Sequence, residues 1–140
     1  MIVVAIIALL SVLALPSLLQ AREQTSRTRF VETVRIIHDA FEIYATENAK
    51  YPADVGPGEM PAGMESYFGA KVNYTAATPI GGKWDWDYNY YPGIKAGISV
   101  SEPNADRDKM TEIDKMLDDG DLATGAFRST SAMVFTYVVE

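Results

Sequence analysis

The first nineteen residues constrain this chain more than any other stretch. Met1 to Leu19 read MIVVAIIALLSVLALPSLL, with no charge, two serines and one proline. As an α-helix rising about 1.5 Å per residue, the stretch is roughly 28 Å long, close to the hydrocarbon thickness of a bilayer. It is apolar round its whole circumference, so no face of it can turn to water. Such a helix belongs in lipid or at the centre of a bundle of similar helices. The side chains available for that contact are Met1, Ile2, Val3, Val4, Ile6, Ile7, Leu9, Leu10, Leu13, Leu15, Leu18 and Leu19, with Pro16 among them. A secretory leader is the rival reading, but it wants an A-x-A-like cleavage site. Pro16-Ser17-Leu18-Leu19-Gln20-Ala21 is a poor one. Helical patterning also continues for about thirty residues beyond it, which a removable leader does not need.

Pro16 has no amide donor and crowds the carbonyl four residues back, which predicts a kink or a local unwinding between Ala8 and Pro16. Ser11 and Ser17 are near enough to satisfy freed carbonyls. From Ala21 the chain turns polar, with Arg22, Arg27 and Arg29 beyond the apolar end. They suit a positive-inside flank, a solvated helix face or contact with acidic groups of a neighbouring molecule. Phe30, Val34, Ile37, Phe41 and Tyr44 then recur at spacings of four and three, and Thr33, Ile36, Ala40 and Ile43 widen the stripe. This is the core-facing side of a helix. Arg35–Asp39 and His38–Glu42 have i,i+4 spacing on its outer side. The helix is expected to stop near Asn48, because the residue before Pro52 disfavours helix.

The run MIVVAIIALLSVLALPSLLQAR, the proline before the first charges and the Tyr51-Pro52 pair resemble the N-terminal helix of bacterial type IV pilins and type II secretion pseudopilins. The resemblance covers about residues 1–52 and is weaker beyond. In that family the mature chain opens on a phenylalanine-led apolar run carrying a glutamate, after a glycine cleavage site. Neither the glutamate nor the cleavage site occurs in Met1–Leu19, so Met1 is expected to correspond to an internal position of that run. The resemblance implies a subunit that sits in the inner membrane and then polymerises into an extracellular filament or a periplasm-spanning pseudopilus. It implies other copies of the chain, an inner-membrane assembly platform and a prepilin peptidase as partners. The stretch before the proline is often unwound in such filaments.

Composition narrows the rest. The chain has 140 residues, a net charge of −7, no cysteine and one histidine. About 120 residues beyond the apolar run suffice for one small domain. An acidic surface argues against nucleic acid, whose phosphates are held by Lys and Arg. The cysteine count excludes disulfides and thiolate chemistry, and His38 alone excludes a multi-histidine zinc site. No nucleophile–base pair or phosphate loop is recognisable, so catalysis is not expected.

The expected fold is α+β: a long N-terminal helix packed on a small antiparallel sheet, with a short second helix. Residues 1–20 form the apolar helix half and 21–140 a globular domain. Within the latter, 21–50 is the amphipathic half and 53–82 a Gly- and Pro-rich connection, with a short helix around Ala62–Phe68. Residues 83–140 hold a β-hairpin, a helix and a C-terminal strand. Trp84, Trp86, Tyr88 and Tyr90 alternate with Asp85, Asp87, Asn89 and Tyr91, and Pro92-Gly93 supplies a turn before Ile94–Val100. Period 2 predicts aromatics against the helix and acids in water. If that aromatic row were exposed, a membrane-anchored binding module would become the reading. Asn104 is expected to cap a helix carrying Met110, Ile113 and Leu117, with Gly120 as its stop. Met133–Val139 has two apolar rows, as in a strand covered on both sides, by a neighbouring subunit for example.

One constellation carries ion chemistry. Asp118, Asp119 and Asp121 surround Gly120, the hard oxygen donors that Ca²⁺ takes, with backbone carbonyls to complete its shell. The twelve-residue EF-hand loop is absent, and the alternative is a helix C-cap followed by an acidic turn. The resemblance adds that major pseudopilins lacking disulfides hold a C-terminal loop with calcium. No other cofactor is required by these residues.

Overall fold

A computed structural model describes residues 1–140. In chain order its elements are α1 (Ile2–Asn48), α2 (Glu65–Phe68), β1 (Lys83–Tyr88), β2 (Ala96–Ser101), α3 (Arg107–Leu117), β3 (Phe127–Ser131) and β4 (Val134–Val138). The fold is α+β, with a long N-terminal helix against one antiparallel sheet of strand order β1-β2-β4-β3.

α1 is a single 47-residue helix that runs through Pro16 without interruption. The unwinding expected between Ala8 and Pro16 is absent. Proline removes one rung of the ladder, whereas unwinding would strip several amide groups of partners inside an apolar stretch. Ser11 Oγ donates to the Ile7 carbonyl at 2.9 Å rather than to the Val12 carbonyl that Pro16 leaves free. The helix ends at Asn48, where Ala49 turns left-handed with φ 56°.

The second half of α1 carries the core. Phe30, Val31, Val34, Ile37, Ala40 and Phe41 are buried, while Ile43 stays exposed. Trp84 stacks on Phe30 with centroids 5.2 Å apart, and Trp86 stacks on Phe41 at 3.6 Å. Trp86 Nε1 donates to the Pro52 carbonyl at 3.1 Å, which ties the chain leaving α1 to the sheet. α2 brings Phe68 against Phe41 and Tyr74. The expected ion pairs on α1 do not form. Arg35 Nη2 donates to the Met116 carbonyl at 3.3 Å, and Glu42 accepts from the Tyr51 hydroxyl at 2.6 Å.

β1 and β2 pair from Lys83↔Ser101 to Tyr88↔Ala96, so the hairpin connection spans 89–95 and is longer than a Pro-Gly turn. Tyr90 lies outside the strand and is 65% exposed, which ends the aromatic row at the half-buried Tyr88. β4 is interior, paired with β2 on one side and β3 on the other. Lateral pairing covers its edges but neither of its faces, on which Phe135 and Thr136 are buried while Val134, Tyr137 and Val138 are partly exposed. β3, sequence FRSTS, has no apolar alternation and owes its extended form to pairing with β4. α3 begins two residues later than expected, capped by Asp106, whose Oδ1 accepts from the Lys109 amide at 2.9 Å. Its C-cap is Asp118, not Gly120.

The largest departure concerns the acidic row of β1. Asp85 and Asp87 are not in water; they are 7% and 4% exposed. Strand period sets only the side of the sheet, and here that side is covered too. Backbone bonds from Val55 to the Trp86 carbonyl and from Gly58 to the Trp84 carbonyl lay residues 55–58 along the open edge of β1. This blunts an exposed strand edge. The same segment walls the outer face together with Tyr90 and Tyr91.

Candidate functional site

Two features carry functional weight: the free half of α1 and the acidic turn after α3. The large apolar side chains from Met1 to Leu19 are all at least half exposed. The most apolar 18-residue window has none of its residues buried. α1 is therefore long and apolar enough to cross a membrane, and the folded domain offers this half no cover. Leaving such a surface in water would cost about 25 cal/mol per Å² relative to burying it. Immediately beyond it, Arg22, Ser26 and Arg27 line a groove of about 350 Å³ against Gly81, Asn104 and Lys109. Lys109 Nζ pairs with Glu23 Oε1 at 3.1 Å, so α3 touches α1 one turn beyond Leu19.

In the acidic turn, the structure brings together a set that differs from the expected one. Asp114, Asp118 and Asp119 each place a carboxylate oxygen within 4.8 Å of the others. That is the widest separation that oxygens about 2.4 Å from one ion can have. Asp121 stands outside the group, its Oδ1 accepting from the Ala123 amide at 3.0 Å. Asp114 was missed because it lies inside α3, yet its spacing of four from Asp118 puts both on one side of the last turn.

The local bonding explains the shape of the turn. Asp119 accepts from the Asp121 amide at 2.8 Å and from the Thr124 hydroxyl at 3.0 Å, and Asp118 Oδ2 accepts from the Ala126 amide. Gly125 has φ 76°, and a Cβ there would overlap Asp118 Oδ2, so the turn closes only around glycine. Asp114 is fully buried, and its carboxylate oxygens have no hydrogen bond of good geometry, only a weak approach from the Gly120 amide. Burial, then Asp119, Asp118 and Asp121 in that order, pushes its pKa up to about 6. The amide and hydroxyl donors hold Asp119 below the usual carboxylate range. The cluster thus has a buried, weakly bonded carboxylate and two exposed ones at its mouth. Chemically it suits a hard cation.

The tryptophans of the aromatic row pack against α1 as expected, and the alternative of an exposed platform is not met. Trp84 and Trp86 are inside, stacked on α1, and His38 sits 3.4 Å from Asp39 at the surface with no nucleophile beside it. Comparison of the chain with family models, with curated proteins and with solved structures returns no match.

Proposed function

We propose that this chain is a structural subunit of pilin or pseudopilin type, which polymerises through the apolar half of α1. The observation that supports this is one continuous helix with two unlike halves. Its C-terminal half is the spine of the domain, and its N-terminal half is a bare apolar rod. In the membrane the rod is solvated by lipid; in a fibre, rods from many copies would cover one another. The domains would form the outer layer, in a heterologous, open-ended arrangement. The inner membrane is then the site before assembly, and an extracellular filament or a periplasmic pseudopilus the product. An assembly platform and a prepilin peptidase belong to the same proposal. Electron cryo-microscopy of surface material sheared from cells tests it: fibres with Met1–Leu19 in a central bundle are expected. Finding the chain only as membrane monomers would overturn the polymer reading.

We further propose that Asp114, Asp118 and Asp119 hold Ca²⁺, in place of the set that includes Asp121. The buried, weakly bonded Asp114 supports it. Calcium at a hundred times its dissociation constant should stabilise the detergent-solubilised full chain by about 2.7 kcal/mol, reversed by chelator. A melting temperature indifferent to millimolar Ca²⁺, and the same in Asp114→Asn, would leave the self-bonded turn as the whole explanation.

A further inference from the structure

The outer face of the sheet holds a second acidic hollow, on the side away from α1. It measures about 260 Å³ and is lined by Asp54, Asp85 and Asp87 together with Tyr90, Tyr91 and Ser101. Asp54 is fixed there because its Oδ1 accepts the Tyr88 amide at 2.8 Å. Asp87 accepts from Ser99 Oγ, which hydrogen-bonds Thr136 Oγ1 at 2.7 Å, and Thr136 in turn meets Thr130 at 2.8 Å. Asp85 differs. It is more than nine-tenths buried, its Oδ2 accepts only a long bond from Ser101 Oγ at 3.5 Å, and its Oδ1 has no partner of good geometry.

No basic group of the domain reaches this hollow. Lys83, two residues before Asp85, lays its stem against Gly58 and lines an adjoining hollow. Arg128 shares a cross-strand row with Asp85 through Ser99 and Thr136. Three strand spacings, roughly 14 Å, separate their backbones, and Arg128, whose Nε is buried without a partner, is not among the residues that line the hollow. Lys95 is engaged by Glu140 at 2.5 Å. Burying carboxylates with no counter-charge is costly, and burial, then Asp87 and Asp54, pushes Asp85 up to about 7.

We propose that this hollow binds an organic cation, an ammonium or guanidinium group carried on an aliphatic stem. A single metal ion fits less well, because Asp54, Asp85 and Asp87 do not meet within the 4.8 Å reached by the Asp114 cluster. N–H donors about 2.8 Å from each oxygen bridge wider gaps than metal–oxygen bonds of about 2.4 Å. The rim matches a stem: Val55, Pro57 and Val134 are apolar, and the exposed Tyr90 ring, edge-to-face with Tyr91 at 4.9 Å, borders the opening. The cation has two sources, a lysine or arginine of another copy of this chain, or a free amine. The site itself follows from the sheet and does not depend on polymerisation; only the first source rests on the subunit proposal.

The test follows the Tyr90 and Tyr91 ring resonances of the full chain in detergent micelles by NMR. The probe is n-butylammonium chloride against sodium chloride at equal ionic strength. A saturable shift is expected, weakened about tenfold or more in Asp85→Asn. Tyr90→Ala, which leaves every carboxylate in place, should weaken it roughly threefold, read on Tyr91. A second arm raises the protein concentration with no amine present. Ring shifts that grow with concentration and are reversed by n-butylammonium support the neighbouring chain as source. Their absence, with the probe still binding, supports a free amine. No saturable shift in either arm overturns the proposal, as does Ca²⁺ moving the same rings in competition with the probe. Loss of fibres alone would overturn the subunit proposal and leave the n-butylammonium titration unchanged.

Discussion

The two faces of the sheet are made from alternate residues of the same strands and are buried by opposite means. Toward α1, Trp84, Trp86, Ile98, Val100 and Phe135 meet apolar partners, and the indole N–H of Trp86 is satisfied by the Pro52 carbonyl. Away from α1, Asp85, Asp87, Ser99, Ser101 and Thr136 are just as hidden. Their cover is a loop and two tyrosines, and their stability depends on hydrogen bonds that fall one short. Depth of burial is therefore a poor guide to what a face does. One face holds the domain together; the other keeps charged chemistry out of water at a cost to stability.

The contrast can be broken most severely at Trp86. Trp86→Ala removes the ring stacked on Phe41 and should cost about 3–5 kcal/mol in chemical denaturation. A loss below about 1 kcal/mol would mean that α1 and the sheet are not held by this stack. Next comes Asp85, where pH is the lever. Its folded pKa, about 7, lies above the ordinary carboxylate value of about 3.9. The native state therefore binds more protons, so this group's contribution is best below about pH 4. It declines as pH rises to 7 and is flat beyond. Asp114 acts the same way up to about 6. In amine-free, calcium-free buffer Asp85→Asn should flatten the upper part of that decline and be more stable than wild type at pH 8. Equal pH profiles would show that Asp85 is solvated after all. The smallest effect belongs to Tyr90→Ala, which should change stability by less than about 0.5 kcal/mol, since its ring lies at the rim. A larger loss would make Tyr90 part of the cover rather than part of a ligand's surroundings.

What was legible in the sequence was whatever local periodicity determines. The stripe from Phe30 to Tyr44, the stop before Pro52 and the inward tryptophans follow from spacing alone. β3 was not legible, because FRSTS becomes a strand only through a partner. The burial of Asp85 and Asp87 was not legible either, since their cover comes from residues 54–57, about thirty positions earlier and on no repeating pattern. The acidic turn was legible, but the approach of Asp114 to it was not. The motif drew attention to Asp121, while the fold of the last α3 turn supplies Asp114.

The unbroken helix also has a mechanical meaning. Pulling on the apolar end of α1 loads Phe30, Val34, Ile37 and Phe41 in shear, all at once, because they sit on one rod. The stretch around Pro16 is loaded in simple tension, and there one rung of the ladder is missing. Under force the rod should lengthen near Pro16 before the domain lets go. Optical-tweezer extension of the full chain should thus show a compliant first step, abolished by Pro16→Ala, ahead of the unfolding of the sheet. A chain built this way should stretch without losing its fold.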